Sequence, residues 1–361
     1  MDTLQPKSNR LLVATRKGLF EFNRNNTDHW EIAQRSFLGD PVSMVLNDTN
    51  NQTLYAALNL GHFGCKLHRS LDDGKSWTEI QVPSYGKIKS DQELNLALIW
   101  CLAPGKDDCL WAGTIPGGLF RSDDNGETWQ LIESLWNEPL REQWFGGGYD
   151  QPGIHSICVD PFDQNKISVA VSCGGVWLSE DNGNTWKIST QGMVAEYMPP
   201  DQAENSATQD PHRMVQCKTS PKHFWVQHHN GIFKSDDYCQ NWRRIYAQPS
   251  SFGFAVAVHP SDPDTAWFAP AIKDEKRYPT DGRLVVTKTQ DGGKTFSTLD
   301  AGLPDTESYD LIYRHCLEVD ASGERLAMAS TTGGLWLSDD GGNSWQTLSN
   351  NLPPVYALQF T

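Results

Sequence analysis

The chain is short of positive charge: 30 lysines and arginines stand against 45 aspartates and glutamates, a formal net charge of -15. Duplex nucleic acid and anionic membrane surfaces are bound through clustered cations that offset phosphate, so neither is an expected partner. No apolar run approaches the roughly 20 residues of a membrane-spanning helix. The first residues, MDTLQPKSNR, show no charged stretch leading into a long apolar core, as a secretory leader would. The resulting expectation is a cytoplasmic protein. Cysteine pairs at metal-ligand spacing are missing too. The eight cysteines (Cys65, Cys101, Cys109, Cys158, Cys173, Cys217, Cys239 and Cys316) are scattered, with no C-x-x-C pair and mostly within apolar strand-like runs. Buried free thiols are expected in preference to disulfides or a zinc site.

What the chain has in abundance is one repeated phrase. RSLDDGKSW ends at Trp77, RSDDNGETW at Trp129, LSEDNGNTW at Trp186, KSDDYCQNW at Trp242, KTQDGGKTF at Phe296 and LSDDGGNSW at Trp345. All follow S/T-x-D-x-G-x-S/T-W/F, with Cys239 and Asn241 as exceptions in the fourth. FNRNNTDHW, ending at Trp30, is an eroded seventh copy. Intervals of 47, 52, 57, 56, 54 and 49 residues separate the closing aromatics, longer than a helical repeat needs and suited to a four-stranded sheet per unit.

Within a unit the periodicity is that of strands. GIHSICVDP, KISVAVS, GVWLSED and NTWKIS are alternating or apolar runs broken by Gly, Asn, Asp or Pro, and are labelled strands A to D from the axis outwards. The repeated phrase is then the C-to-D turn. Its Asp (Asp72, Asp124, Asp181, Asp237, Asp291, Asp340) accepts hydrogen bonds from the turn's own amides, its Gly supplies a positive φ, and its aromatic packs between sheets. The expected architecture is an all-β, seven-bladed propeller in one domain, residues 1–361. Its blades cover 10–35 with 354–361, then 41–82, 96–133, 153–190, 212–247, 252–300 and 310–349. The first unit has three strands only, and the tail VYALQF has the composition of the missing A strand. It is expected to complete blade one and close the ring.

Six near-complete boxes, several preceded by a G-[LIV]-[FW] strand (Gly118-Leu119-Phe120, Gly175-Val176-Trp177, Gly231-Ile232-Phe233, Gly334-Leu335-Trp336), resemble the BNR/Asp-box superfamily over essentially the whole chain. That superfamily includes sialidases, xyloglucan-cleaving glycosidases, sortilin-type receptors and a photosystem assembly factor. The chain is also similar to bacterial proteins labelled exo-alpha-sialidase or BNR-repeat glycosyl hydrolase. The resemblance implies the fold and leaves the activity open. Sialidases of this type carry an F/Y-R-I-P segment near the first blade, where this chain has TRKG, so sialidase activity itself is not expected.

The boxes recur at every blade and spend their carboxylates on local turns, which points to structure instead of catalysis or calcium binding. Strand direction alternates, so the D-to-A and B-to-C connections share the opposite face, and the unusual residues lie there. B-to-C loops contribute Arg16, Lys17, His62, His228, His229, Lys273, Arg277 and Tyr278. The opening halves of A strands contribute His155 and His212, with Arg314 and His315 further in. Two long connections rise on the same face, 133–153 with Trp144 and the run Gly146-Gly147-Gly148-Tyr149, and 190–211 with Glu196.

Arg16, Lys17, His62, Trp144, Tyr149, Lys273, Arg277 and Arg314 are the candidate ligand-binding residues. His155, His212, His228 and Glu196 are candidates for acid or base. Arg16 and Arg314 suit either a bound anion or pairing with neighbouring carboxylates. Adjacent His228 and His229 point to opposite sides of a strand, so one of them at most faces the axis. No cofactor is expected, although His62, His155, His212 and one of that pair leave a histidine-bound metal open. Two functions stay in view. One is an enzyme, glycosidase-like or a lyase, acting on a carbohydrate or small acid at the axial mouth through His and Arg. The other is a non-catalytic scaffold whose face holds a peptide or protein partner.

Overall fold

A computed structural model describes residues 5–86 and 94–361. They form seven four-stranded antiparallel sheets, the blades of a β-propeller, and the chain divides into two compact units that are taken in turn. No helix among the described residues is long and apolar enough to cross a membrane. All eight cysteines are free thiols, six of them buried.

Asp40–Pro211 holds three blades. Blade two is Val42–Asp48, Thr53–Asn59, Cys65–Ser70 and Thr78–Ile80; blade three is Leu98–Pro104, Leu110–Ile115, Leu119–Ser122 and Gln130–Leu131. Blade four is Ile154–Val159, Ile167–Val171, Gly175–Ser179 and Lys187–Ile188. The B and C strands of blades three and four are buried almost throughout because each is covered on both faces, which is why they read as apolar runs without clean alternation. Trp111 and Trp177 are fully enclosed.

The second unit, Met1–Gly39 with His212–Thr361, holds the other four. Blade five is Pro211–Gln216, Phe224–His228, Gly231–Ser235 and Arg243–Ile245; blade six is Gly253–Val258, Ala266–Pro270, Val286–Thr289 and Ser297–Leu299. Blade seven is Leu317–Val319, Leu326–Ala329, Leu335–Ser338 and Gln346–Ser349. Blade one is built from Arg10–Thr15, Gly18–Arg24 and Trp30–Ser36 plus the C-terminal Val355–Phe360, which pairs antiparallel with Arg10–Thr15 as its A strand. The expected closing strand is thus in place, and it leaves no open ladder along Arg10–Thr15. A buried Arg325 secures the same seam: its guanidinium donates to Asp339 Oδ1 at 2.5 Å, to Asn9 Oδ1 at 3.2 Å and to the Ser8 carbonyl, and lies 5.4 Å above Trp30.

The C-to-D corners repeat to the atom. In blade two Ser70 Oγ donates to Asp72 Oδ1 (2.8 Å) and accepts the Gly74 amide (2.8 Å), while the Ser76 amide and hydroxyl both donate to Asp72 (2.8 and 2.5 Å). Asp124, Asp181, Asp291 and Asp340 do likewise. Two successive residues take positive φ, such as Asp73 at 62° and Gly74 at 85°. A Cβ at Gly126 would lie 2.8 Å from Ile80 Cδ1, so space as well as φ calls for glycine there. The exceptions explain themselves. Asn241 donates through its amide at 2.8 Å where the others use a hydroxyl, and Cys239 sits at φ 63° in the glycine position. In the eroded first copy Asn25 Oδ1 replaces the carboxylate and accepts the Thr27 and His29 amides at 3.0 and 3.1 Å.

Candidate functional site

At the blade ends opposite the corners, the Asp40–Pro211 unit assembles an aromatic cluster. His155, near the start of its A strand, is fully buried. Its Nε2 lies 2.7 Å from the Pro211 carbonyl and its Nδ1 3.0 Å from Ser156 Oγ. Since a carbonyl can only accept, Nε2 carries the proton in the neutral ring and Nδ1 takes the serine hydroxyl, so both nitrogens are engaged by the fold. Trp100 packs edge-on against His155 (5.4 Å) and against the exposed Tyr149 (5.2 Å).

The long connection before blade four is a packed structure. It forms a helical turn, Glu133–Trp136, and a 3-10 turn, Pro139–Gln143, and buries Trp144 edge-on against Trp177. Arg141 lies 3.3 Å over Trp136 and 5.6 Å from Trp144, and burial lowers its guanidinium to about 10, the Tyr85 phenol opposing. Gly146 is a steric necessity, for a Cβ there would meet the Tyr149 carbonyl at 1.8 Å, and Gly147 packs on Ser172 and Cys173. The following connection docks on the first through Asn205 Nδ2, 3.2 Å from Gln143 Oε1, and carries Glu196 on its exposed side. His62 is exposed, tilted against Phe63 at 3.8 Å. Of the expected residues in this unit, His155 and Tyr149 share Trp100 as a neighbour. Trp144 is part of the core, whereas His62 and Glu196 are exposed.

The other unit makes the denser arrangement, centred on Phe254 at the start of blade six. His212, from the opening of blade five, stacks on that ring at 4.4 Å with 11° between planes. Its Nδ1 lies 2.7 Å from the Gly253 carbonyl and must donate, which puts the lone pair of the neutral imidazole on Nε2. Arg277, from the B-to-C loop of blade six, and Arg314, just ahead of blade seven, place their guanidiniums 5.3 and 5.4 Å from the same ring. Phe252 and Tyr313 pack on Phe254 edge-on, both at 5.4 Å, and His229 meets His212 at 5.5 Å.

Tyr313 leads on to blade one. The phenol of Tyr356 is raised by burial, partly offset by the positive field of Arg16, and it also feels Tyr313. Arg16 and Lys17 form the exposed two-residue turn between the B and C strands of blade one. The Arg16 side chain makes no hydrogen bond or ion pair among the described residues, its amide alone being tied to the Pro354 carbonyl at 2.9 Å. Arg277 is bound to Asp274, with Nε 3.0 Å from Oδ1, and Lys273 pairs with Glu275 at 3.1 Å. A backbone amide first, and then that pair, hold the Glu275 carboxyl below the usual range.

Three residues singled out in the sequence, His212, Arg277 and Arg314, therefore meet on one ring. His228 stays apart: it is fully buried against Phe233 at 5.1 Å, and its Nδ1 accepts the Asn230 amide at 3.0 Å, so it caps its own turn. Phe252, Phe254, Tyr313 and Tyr356 were not among the expected site residues. Aromatic residues in apolar strand starts look like core, and the signal that separates them is position: each lies at the same end of an A strand as His155 and His212.

The fold defines the class, a seven-bladed β-propeller, and solved propellers resemble it in the way such a class predicts. The GH74 xyloglucanase of Xanthomonas campestris superposes with a TM-score of 0.63 at 17% identity, over 95% of this chain and 53% of that one. YCF48 bound to D1 peptide superposes at 0.54 and 14% identity, over 94% of this chain and 96% of that one. In sequence, xyloglucanase Xgh74A of Acetivibrio thermocellus is 26% identical over 155 residues, 40% of this chain and 17% of the enzyme, so this chain matches a small part of a longer relative. No known family model matches the chain.

Proposed function

We propose that the protein is a glycosyl hydrolase-like propeller that takes a small polar or anionic ligand, a carbohydrate or an acid, where the Phe254 cluster opens at the propeller mouth. The observation that carries this reading is the meeting of His212, Arg277 and Arg314, drawn from blades five, six and seven, on one ring. Isolated surface cations do not gather over one aromatic without a gain; each guanidinium held over a ring is worth about 0.5–2 kcal/mol and loses rotamer freedom in exchange. A site so pre-ordered can orient an oxygen-rich ligand, with the lone pair on His212 Nε2 as acceptor of a proton in a hydrolase or lyase. The partial likeness to Xgh74A, named a xyloglucanase, supports a saccharide as ligand.

The test is a thermal-shift and calorimetric panel of xyloglucan oligosaccharides, sugar acids and sugar phosphates on the wild-type protein and on Arg277→Ala. Saturable binding weakened by the substitution is the expected result. Absence of binding by every saccharide would leave the scaffold reading, which the likeness to YCF48, solved with a D1 peptide, supports on the fold alone. In that case a peptide array, not a sugar panel, is where binding should be found.

A further inference from the structure

Resting on the reading just given, the side chains on this strip narrow the ligand class. A neutral sugar is usually held by laying an apolar ring face on an exposed aromatic. Phe254 offers no such face. It is 3% exposed, His212 is stacked on it, and Phe252 and Tyr313 pack on it edge-on. Its role is to seat the guanidiniums of Arg277 and Arg314, so the groups that can meet a ligand are cationic.

Arg16 extends the strip. It stands exposed on a tight turn fixed by six paired positions between Arg10–Thr15 and Gly18–Arg24; its amide is tied to the Pro354 carbonyl just ahead of the closing strand, and Ala357 of that strand bridges to His315, the residue after Arg314. Its side chain spends nothing on the fold, whereas Arg10, Arg69 and Arg283 on the same molecule all hold carboxylates. In a protein of net charge -15, an unengaged guanidinium beside Lys17 is the reverse of the average surface. Arg277 and Lys273, by contrast, are already held by Asp274 and Glu275.

We infer that the ligand is a saccharide bearing an oxyanion, a carboxylate or a phosphate ester, read by Arg16 and Arg314, with the planar guanidinium of each suited to two parallel hydrogen bonds. Calorimetry with trigalacturonate, glucose 6-phosphate and a neutral xyloglucan heptasaccharide, at matched ionic strength, tests it. At least one anionic probe should bind about tenfold or more tighter than the heptasaccharide, and should weaken as sodium chloride is raised. Which of the two binds decides between carboxylate and phosphate. Arg16→Ala and Arg314→Ala should each lower that affinity about tenfold, consistent with loss of one charged contact. Arg16→Ala should leave the melting temperature unchanged, because the side chain has no partner to lose. Equal or tighter binding of the heptasaccharide, or an Arg16→Ala variant that binds the anion as well as wild type, overturns the inference and leaves the saccharide site standing. Failure of all three probes to bind removes both.

Discussion

At the C-to-D corners, Asp124 and Asp340 make the same contacts as Asp72, each to a hydroxyl two residues before it and to an amide and hydroxyl four residues after it. At the other end of the same blades no such repetition exists: blade one turns on Arg16 and Lys17, blade five on His229 and Asn230, and blade six on a loop carrying Lys273 and Arg277. The corner is a local solution, each copy closed within seven residues of chain, so one phrase serves everywhere. The opposite end is solved once, by residues from different blades meeting at Phe254. Repetition marks what the fold needs of every blade, and departure from it marks where the proposed ligand would be recognised.

That contrast depends on a frame common to both ends, and the closing strand is the piece that tests it most severely. Val355 and Tyr356 lie at its site end, while Ser8 Oγ donates to the Thr361 carbonyl at 2.6 Å at the other. Deleting 355–361 should remove soluble monomeric protein altogether, leaving Arg10–Thr15 as an open edge that pairs between molecules. Size-exclusion chromatography and a melting curve would show it, and a truncated chain that stays monomeric with a wild-type transition would refute it.

A smaller effect separates the ends more sharply. Asp340→Ala removes three hydrogen bonds of 2.6–2.9 Å to a carboxylate and should cost about 1–2 kcal/mol, the low end for such groups because water reaches this corner. Binding at the Phe254 site should not change. The corner carboxylates also predict an acid limit. The Ser76 hydroxyl and amide, with the Ser70 hydroxyl, hold Asp72 at about 2, and Thr295 with Thr289 does the same for Asp291. A carboxyl depressed in the folded state gives stability that is complete above its unfolded value near 4 and is lost as pH falls through the folded value. Melting temperature should therefore drop between pH 4 and pH 2, and the penalty of Asp340→Ala should shrink over that interval.

How much of this could be read from residues alone follows the same division. Corners and blade count are legible because every contact lies within a few positions, and even the exceptions Asn241 and Asn25 sit where the missing groups would be. The closing strand is legible by subtraction, since one unit is a strand short. The geometry of the candidate cluster is half legible. His212, Arg277 and Arg314 stand out as polar residues at strand starts and in a turn, but Phe254 is hidden in the apolar run of GFAVAV. The engagement of His155 depends on a carbonyl 56 residues away, and Trp144 goes inward because its connection folds into turns that no local pattern announces.

Between the two ends lies a group that belongs to neither, and it gives the finest test. Glu318 is in the A strand of blade seven, four residues beyond Arg314 towards the corner end, with Gln359 of the closing strand 3.5 Å from its Oε1. Burial pushes its carboxyl up to about 7 and Asp320 adds to this, while the nearby cations Lys218 and Arg213 pull the other way. Here the sign is opposite to that of the corners. A carboxyl that holds its proton more tightly when folded favours the fold most below its unfolded value near 4, and this advantage is lost as pH rises through about 7. Glu318→Gln keeps the neutral shape without the ionisation, so it should leave stability at pH 4 nearly unchanged and raise it at pH 8 by about 1–3 kcal/mol. Chemical denaturation at the two pH values measures both numbers. An equal change at pH 4 and pH 8 would mean that packing, not the ionisation of this half-buried carboxyl, sets the worth of this position.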